Sequence, residues 1–481
     1  MWINGEESDS IGGERMWTVS PAHDKQVASY PLADAADVDR AVRAAREAFD
    51  QGPWPSMMGR RRSRALEQVA DLIQKNIDSL ARLETLESGK PISQAVEEMK
   101  AAVDLWRYAA TLARHVHGDS YNSLGENKLG FVLREPVGVV AMITPWNFPL
   151  LIVSQKLPFA LAAGCTAVIK PSELTPGTTL RLAELTTEAG IPPGVVNVVN
   201  GYGSPVGSHL ASHSEINFMS FTGSTAVGRS VAAAAGQNLK GVSLELGGKN
   251  PNIVFADADM DAAVDAAVFG VYFNMGECCN SGSRLLVESG VADEFTRRIV
   301  EKARTIPVGD PLDPATKVGA IINEEQLSRI KGYIRSGMQC EARLLLGGGV
   351  MPTEHGRFVE PTIFDRVTAE MPIAREEIFG PVLSVLTFDT RAEAIALAND
   401  TCYGLSAGVW TRDVETAFEI SQRVRAGTIW INCFMDGYPE LPFGGYHDSG
   451  LGRELGRFSL DEFTELKTIQ LHLGSRGTPW V

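Results

Sequence analysis

Cysteine is scarce in this sequence, with 6 residues among 481. So few cysteines in so long a chain predict no disulfide framework, and no pair of them has the CxxC spacing of a zinc site. We therefore expect no metal site and a reducing, cytoplasmic environment. Three of the cysteines, Cys165, Cys340 and Cys402, are expected to be small buried apolar residues.

Positive charge and long apolar runs are also scarce. Lys and Arg number 44 against 59 Asp and Glu, a formal net charge of -15, whereas phosphate backbones and anionic membranes attract basic surfaces. Apolar runs such as VGVVAMI (137–143) are too short to cross a bilayer. The acidic amino terminus, MWINGEESDS, lacks the basic and apolar segments of a signal peptide. We therefore expect no nucleic-acid partner, no membrane partner and no secretion.

The chain is long enough for two or three domains, and its pattern changes along its length. Helical periodicity dominates the first hundred residues, over 34–50 and over 64–90. From about 138, short apolar runs alternate with helical segments or Gly/Pro turns, as is typical of buried parallel strands. A second series of this kind runs from about 260 to 435. The sequence therefore predicts an α/β fold of two lobes.

Two segments do not fit either lobe. The turn-rich segment NSLGENKLGFVLREP (122–136) and a strand at 468–473 have no helix behind them. Strands of this kind often pair outside their own lobe, and we expect these two to do so.

Glycine turns in the first lobe are candidates for nucleotide contacts. FTGSTAVG (221–228) runs from a strand through Gly223 and Ser224 into a helix, whose amino terminus can bind an anion. A plain strand-to-helix turn with a serine cap explains the same residues equally well. NGYGSPVG contains Gly203 and Gly207 in a GxGxxxG spacing, which differs from the standard dinucleotide fingerprint.

A lysine and a glutamate follow another strand of this lobe. VIKPSE ends the strand with Lys170 and places Glu173 three residues later. Ligands of α/β sheets lie beyond the carboxyl ends of strands, so both side chains could hold ribose hydroxyls. The alternative is an exposed charge pair.

Two adjacent cysteines lie in NMGECCNSGSR (274–284), between glycines that allow close approach to a thiol. A nucleophilic cysteine needs access and a group that activates it or a water molecule. Glu245 in LELGGKNP could be that group, because a carboxylate at the end of an apolar strand is costly without a role. A hydrogen-bonded structural glutamate is the alternative.

The motifs together resemble those of the aldehyde dehydrogenase superfamily. PWNFPL, IKPSE, FTGSTAVG, LELGGKNP, FNMGECCNSGSR, EEIFGPV and LPFGGYHDSGLGRELG stand in the order typical of that family. They extend over essentially the whole chain, so the resemblance is very specific.

The resemblance implies a covalent mechanism. Cys279 is similar to the family nucleophile, and Cys278 beside it is expected to be a packing residue. Glu277 replaces the usual glutamine, which we expect to alter the local charge without abolishing activity. Asn147 is implied to donate its amide to the oxyanion, together with the Cys279 backbone amide. Glu245 is implied to be the general base, and the product is a carboxylate released from a thioester.

The resemblance also implies a cofactor site. A glutamate at the position of Glu173 goes with NAD in this family, since a carboxylate would repel the 2′-phosphate of NADP. The implied contacts are Ile143, Thr144, Pro145, Trp146, Lys170, Glu173, Gly203, Gly207, Phe221, Gly223, Ser224, Val227, Leu246, Gln326, Glu377 and Phe379.

The implied fold has three parts. These are a Rossmann-like NAD-binding domain (1–118 and 138–246), an α/β catalytic domain (247–440) and a small bridging β element (119–137 and 441–481). In the family the bridging element assembles oligomers, so we expect a homodimer or a homotetramer.

Two other functions and the identity of the aldehyde remain open. A CoA-acylating relative usually lacks the glutamate at position 245, and a structural descendant of the fold would be expected to lose Cys279 or Asn147. Gln155 and Leu112 stand where aromatic residues are common in betaine-aldehyde enzymes, so an aromatic cage for a quaternary ammonium looks incomplete. Phe273 stands where succinate-semialdehyde enzymes often carry arginine. Asp436 and Tyr438 could suit a polar or cationic aldehyde.

Overall fold

The computed structural model describes residues 1–474, so positions 475–481 of the expected bridging element lie outside the described residues. The strands are β1 (Trp2–Ile3), β2 (Glu6–Glu7), β3 (Arg15–Val19), β4 (Gln26–Pro31), β5 (Asp119–Tyr121), β6 (Lys128–Pro136), β7 (Val139–Ile143), β8 (Thr166–Lys170), β9 (Val196–Val198), β10 (Phe218–Thr222), β11 (Gly241–Glu245), β12 (Pro251–Val254), β13 (Arg284–Glu288), β14 (Arg343–Leu346), β15 (Thr362–Asp365), β16 (Val382–Phe388), β17 (Ser406–Trp410), β18 (Thr428–Ile431), β19 (Gly450–Leu451) and β20 (Thr464–His472). The helices are α1 (Ala35–Asp50), α2 (Gly59–Lys75), α3 (Ile77–Ser88), α4 (Ile92–Leu112), α5 (Pro149–Ala163), α6 (Gly177–Glu188), α7 (Ser208–Ser212), α8 (Thr225–Gln237), α9 (Met260–Tyr272), α10 (Ala292–Ala303), α11 (Glu324–Gln339), α12 (Pro372–Arg375), α13 (Arg391–Asn399), α14 (Val414–Arg423) and α15 (Ser459–Glu462). None of the helices within 1–474 combines the length and the apolar composition that crossing a membrane requires.

The helices at the start of the chain follow their sequence signals. The Asp34 carboxylate accepts hydrogen bonds from the first-turn amides of α1, and Asp37 completes a capping box. The predicted helical segment 64–90 forms two helices, α2 and α3, which meet at Asn76. Gly89 ends α3 with a left-handed φ of 80°.

The helical start expected for the first hundred residues is wrong for residues 1–31. Four short strands, β1 to β4, precede α1, and β1 pairs with β9 almost two hundred residues later. Strands this short show little periodicity, and their pairing partner is distant in the sequence.

The first large sheet has the order β19-β11-β10-β7-β8-β9-β1-β2, and its five central strands are parallel. Numbered along the chain, these five have the Rossmann order 3-2-1-4-5, with the switch point between β7 and β10. Their carboxyl ends lie side by side, so Ile143 is next to Lys170, and Thr222 is next to Glu245. The predicted α/β class is confirmed.

The second large sheet has the order β14-β15-β16-β13-β12-β17-β18 and is parallel apart from β14. The chain leaves the first sheet at Glu245 and enters the second at Pro251. The segment around the two cysteines leads into β13, which neighbours β12. The carboxyl edge of the first sheet therefore adjoins the beginnings of two strands of the second.

The two unplaced segments pair with each other. Residues Thr464–His472 form an antiparallel ladder with Lys128–Pro136, and β5 completes a three-stranded sheet. Their pairing outside both lobes is confirmed for the described residues. Gly450–Leu451, by contrast, joins the first large sheet. The domain boundaries given above stay a prediction.

Candidate active site

A cavity of about 1240 Å³ is lined by residues of both lobes, and both Glu245 and Cys279 line it. Thr222 and Leu246 contribute to its wall from the first lobe, at the carboxyl edge of the sheet. A cavity at a sheet's switch point is the usual place for a ligand in an α/β protein. The structure thus brings the predicted nucleophile and the predicted base to one cavity.

The segment before the cysteines has an unusual backbone. Asn274, Met275 and Gly276 have successive φ values of 48°, 58° and 73°. Residues other than glycine adopt this left-handed region rarely, so surrounding contacts must stabilise it. At Gly276 glycine is required, because a Cβ would lie 2.2 Å from the Gly380 carbonyl oxygen.

Two asparagines hold this backbone in place. The Asn274 amide donates to the carbonyl oxygens of Asn147 at 3.1 Å and Glu277 at 3.0 Å. The Asn250 amide donates to the carbonyl oxygens of Cys279 at 2.7 Å and Ser281 at 3.0 Å. The sequence reading missed both residues. The signal for Asn250 was an asparagine directly before a short buried strand, where a buried amide needs partners.

The two cysteines differ in exposure. Cys278 is buried against Phe148 and Ile152, as a packing residue would be, whereas Cys279 is half-buried and reaches the cavity. A hydrogen bond to Cys278, together with burial, raises the pKa of the Cys279 thiol well above its ordinary value. The attacking species is the thiolate, so this thiol needs a proton acceptor nearby.

The remaining cysteines only partly follow the expectation of burial. Cys165 is buried, Cys340 is half-buried, and Cys402 is exposed, so the expectation is wrong for Cys402. Cys402 lies in the turn between α13 and β17, where the chain runs along the surface.

Glu245 is buried, and neither of its carboxylate oxygens has a hydrogen-bond partner. Burial raises the pKa of Glu245 well above its ordinary value, and the nearby Glu454 raises it further. A carboxylate with a raised pKa is a stronger base than an exposed one. The alternative of a hydrogen-bonded structural glutamate therefore finds no support in its contacts.

A buried polar network lies behind this glutamate. Lys156 is fully buried within the apolar helix α5, where it pairs with Glu454 and donates to the Ser220 hydroxyl at 3.0 Å. The sequence reading missed these residues. A lysine inside an apolar helix was the available signal, because a buried charge requires a partner.

Asn147 lies a few positions after the end of β7 at Ile143, and it is buried beside the segment that carries the nucleophile. One hydrogen of its side-chain amide is donated to the Glu277 carbonyl oxygen at 3.0 Å. The amide nitrogen carries a second hydrogen, which remains available to a ligand oxygen. This geometry fits an oxyanion donor whose position is set by the nucleophile segment itself.

Glu277, the departure from the family pattern, is fully buried. One of its carboxyl oxygens accepts a hydrogen bond from the Ile322 amide at 3.2 Å, and the other has no partner. Burial raises the pKa of Glu277 well above its ordinary value, which favours the neutral acid. A neutral acid is close to glutamine in shape and charge, so the expected change in local charge is largely suppressed.

We predict that Glu277→Gln keeps the activity and stabilises the protein at neutral pH. The unfolded chain loses this proton above a pH of about 4.5, whereas the folded protein retains it to a higher pH. The native glutamate therefore costs stability increasingly as the pH rises through this window, by roughly 1–3 kcal/mol at neutral pH.

Thermal unfolding at acidic and neutral pH measures this effect. The difference in thermal unfolding midpoint between Glu277→Gln and the native protein should disappear at acidic pH. The exposed control Glu325→Gln should show no such pH-dependent difference. A stability difference that is independent of pH would contradict the assignment of the neutral acid.

The predicted cofactor residues of the first lobe lie along the carboxyl edge of its sheet. The Lys170 ammonium is 3.6 Å from a carboxylate oxygen of Glu173. Gly207 is close to both Lys170 and Ile143, since a Cβ there would lie 3.5 Å and 3.6 Å from their side chains. Gly203, at the other end of this irregular turn, is exposed. The buried Thr144 hydroxyl has no protein partner.

The second glycine turn also reaches this edge. The Gly223 amide donates to the Glu245 carbonyl oxygen at 3.1 Å, and Ser224 caps α8 by accepting from the Val227 amide. Val227 is half exposed, and Leu246 packs directly beneath α8 at Gly228. Phe221 is buried under Gly223. The helix amino terminus is therefore open to an anionic ligand. The Ser224 cap is equally consistent with the alternative reading of a plain strand-to-helix turn.

The predicted contacts of the second lobe close the other side of the groove. A Glu377 carboxylate oxygen accepts from the Gly248 amide at 3.0 Å. The Phe379 ring meets the Trp146 ring edge-on, with centroids 5.4 Å apart. The Gln326 side-chain amide donates to the Phe379 carbonyl oxygen at 2.5 Å, so this amide already has a backbone partner. Pro145 is half-buried beside Trp146.

This donor set fits a dinucleotide. It provides an open helix amino terminus for phosphate, carboxylates for ribose hydroxyls, and an unpartnered buried hydroxyl at the edge of the sheet.

Comparison with known proteins agrees with the fold and with the family that the motifs resemble. The model of the aldehyde dehydrogenase family matches residues 7–469. The chain is 46% identical over 479 residues to retinaldehyde dehydrogenase 3 of Homo sapiens, covering 99% of this chain and 93% of that protein. A solved structure of an NAD-dependent aldehyde dehydrogenase from Sinorhizobium meliloti has a TM-score of 0.99 at 52% identity and covers 100% of this chain and 95% of that chain. An indole-3-acetaldehyde dehydrogenase of P. syringae, solved in complex with NAD+ and IAA, has a TM-score of 0.97 at 44% identity over 98% of this chain and 96% of that chain.

The fold and the cavity therefore define an α/β protein with a cysteine and a glutamate in one cavity at the carboxyl edge of a Rossmann-type sheet. The chain belongs to the aldehyde dehydrogenase family.

Proposed function

We propose that this protein is an oxidoreductase that converts an aldehyde to a carboxylate with NAD as the cofactor. The observation that carries the proposal is the pairing in one cavity of a half-buried thiol, Cys279, with a buried unpartnered carboxylate, Glu245. The NAD-dependent and NAD+-bound relatives of the same fold support it.

The first step is attack of Cys279 on the aldehyde. Glu245 accepts the thiol proton, and the thiolate sulfur forms a bond to the carbonyl carbon. The negative charge that develops on the oxygen is stabilised by the free amide hydrogen of Asn147 and by the Cys279 backbone amide. The product of this step is a thiohemiacetal.

Oxidation and hydrolysis follow at the same sulfur. NAD, when bound, would supply the hydride acceptor, and loss of the hydride from the carbon bonded to the Cys279 sulfur would convert the thiohemiacetal to a thioester. Glu245 releases the thiol proton to solvent and then takes a proton from water. The hydroxyl oxygen attacks the thioester carbon, the carbon–sulfur bond breaks, and Glu245 gives its proton to the departing Cys279 sulfur. In sum, aldehyde, NAD+ and water give carboxylate, NADH and two protons.

NAD would be held along the groove described above. Glu173 and Lys170 would contact the adenosine ribose, and Gly223 with Ser224 at the start of α8 would contact the pyrophosphate. Glu377 would contact the nicotinamide end.

We predict that replacing Glu173 by glutamine weakens NAD and relaxes its selection over NADP. A carboxylate accepts hydrogen bonds from ribose hydroxyls but repels a 2′-phosphate, and Lys170 would then be free to face that phosphate. The ratio of kcat/KM for NAD to that for NADP should fall about ten-fold or more. Glu188→Gln, an exposed carboxylate at the end of α6, is the matched control and should leave the ratio unchanged. A native enzyme that prefers NADP would overturn the assignment.

We also propose that the aldehyde is apolar. The rings of Phe148 and Phe273 stack at 5.9 Å in the cavity wall, and Phe269 packs on Phe273 at 5.0 Å. Further apolar lining comes from Leu151, Ile152, Met435, Leu441, Phe443 and Leu455. Asp436 and Tyr438, the two residues that suggested a polar substrate, also line the cavity, but both are exposed to solvent. Burial of an alkyl or aryl group against this wall would supply the binding energy.

A single assay tests the function and its alternatives. NADH absorbance would be followed with short polar, cationic, aryl and long alkyl aldehydes, each with and without coenzyme A. We expect turnover without coenzyme A and the highest kcat/KM for the aryl or alkyl group. Dependence on coenzyme A would support the acylating alternative, and the absence of turnover with every aldehyde would support a structural protein.

The assembly state and the compartment are further proposals. The β20 strand is almost entirely exposed, and Leu466, Ile469 and Leu471 present apolar side chains on it. We propose that this sheet assembles a homodimer or homotetramer, which sedimentation would measure. The free thiols at all six cysteine positions fit a reducing cytoplasm.

A further inference from the structure

A second cluster of chemically active side chains lies outside the lining of the cavity described above. Asp39 on α1 faces His209 on α7 and His213 just after it. One Asp39 oxygen is 2.6 Å from Nε2 of His209 and 3.3 Å from Nε2 of His213. The three possible ligand atoms all lie within 4.8 Å of one another.

The composition and spacing of this cluster suit a divalent transition metal. His209 and His213 are four residues apart, so they project from the same side of one turn. Two imidazoles and a carboxylate are a standard ligand set for Zn²⁺, with water at the fourth position. All three residues are partly exposed, which leaves access for the ion and for that water.

We propose that Asp39, His209 and His213 form a surface binding site for a divalent transition-metal ion such as Zn²⁺. The expectation of no metal site came from cysteine spacing and did not consider histidine.

The histidines have other contacts that the ion must accommodate. Nδ1 of His213 accepts a hydrogen bond from the exposed Glu215 amide at 3.2 Å. Coordination through Nε2 would move the ring proton to Nδ1, so this one surface hydrogen bond would be lost. The two imidazole rings already meet edge-on with centroids 5.6 Å apart, so both can turn toward one ion.

The consequence for the protein is a cross-link between α1 and α7. The turn that precedes α7 ends at Gly207, next to Lys170 and Ile143 at the edge of the sheet. An ion at the cluster would therefore stabilise the start of the first lobe against unfolding by binding only the folded state.

Equilibrium dialysis of the full-length protein with Zn²⁺ at neutral pH tests the proposal. The thiols also bind this ion, so every sample would carry alanine at the exposed Cys402 and at the half-buried Cys279, Cys340 and Cys433. Co²⁺ absorption would separate imidazole from thiolate ligands. We expect one bound ion with a nitrogen and oxygen spectrum, together with a rise in the thermal unfolding midpoint.

Three variants decide the outcome. Asp39→Asn and the double variant His209→Ala/His213→Ala should weaken binding at least on the order of ten-fold and abolish the rise in the midpoint. His117→Ala, an exposed histidine outside the cluster, should change neither. The midpoints without metal would show that all variants fold. Equal Zn²⁺ binding by the double variant and the His117 control, or no binding by the parent protein, would overturn the proposal.

Discussion

Replacing Cys279 by alanine should remove NAD-dependent aldehyde oxidation, with a fall in kcat/KM of at least about 10⁴-fold. In the proposed mechanism the Cys279 sulfur is bonded to the aldehyde carbon in both intermediates, the thiohemiacetal and the thioester. Without this sulfur neither intermediate can form. Cys279 is the half-buried member of the pair and lines the cavity that also contains Glu245. Initial rates of NADH formation measure the loss.

Cys278→Ala is the matched control, because it removes the same group one position earlier. Cys278 is buried against Phe148 and Ile152, so its loss creates a small cavity and should leave most of the activity. Mass spectrometry after reaction with a thiol-directed aldehyde analogue would locate the adduct. Equal losses in the two variants would refute the assignment of Cys279 as the nucleophile.

Glu245→Gln should stall the enzyme after the thioester has formed. Glutamine cannot accept a proton from water, whereas hydride transfer from the sulfur adduct does not require this side chain. The Cys279 proton must then pass directly to solvent, so the adduct should form more slowly than in the native enzyme but still ahead of hydrolysis. We expect a burst of NADH of about one equivalent per active site, followed by a steady-state rate on the order of 10²–10³-fold below that of the native enzyme. Rapid-mixing absorbance measures both phases.

The pH dependence gives a second measure of the same residue. Because burial raises the pKa of Glu245, the native steady-state rate should fall as the pH drops below that raised pKa and the base becomes protonated. Glu245→Gln should lose this acidic limb of the profile. An acyl adduct on Cys279 should accumulate in the variant, and an unchanged steady-state rate would place the base elsewhere.

Much of the site was visible in the sequence because its residues terminate strands. Glu245 ends β11, Lys170 ends β8, and Asn147 follows β7 by a few positions. Parallel strands bring their carboxyl ends to one edge of the sheet, where ligands bind. Each predicted strand end therefore also predicts residues that lie near a ligand. The resemblance of the motifs then indicated which of these residues carry the chemistry.

Other features depended on contacts between residues far apart in the chain. The left-handed backbone at Asn274 and Met275 is held by Asn147, which lies more than a hundred residues earlier. Asn250 reaches the Cys279 carbonyl oxygen only because β12 and β13 are neighbours. Neither contact leaves a periodic signal in the sequence.

The sequence by itself determined the α/β class, the succession of strands and the identity of the thiol, the carboxylate and the amide that we assign to catalysis. Local propensity and apolar runs were sufficient for the class and the strands, whereas the three residues were assigned through the resemblance of their motifs to those of the family. Only the tertiary structure decided that the first residues form strands on the edge of the Rossmann sheet and that Thr464–His472 pairs with Lys128–Pro136. It also decided that Glu277 is buried without a charged partner. Pairing and burial depend on which distant segments meet, and the free energy of those contacts is not encoded in any single stretch of the chain.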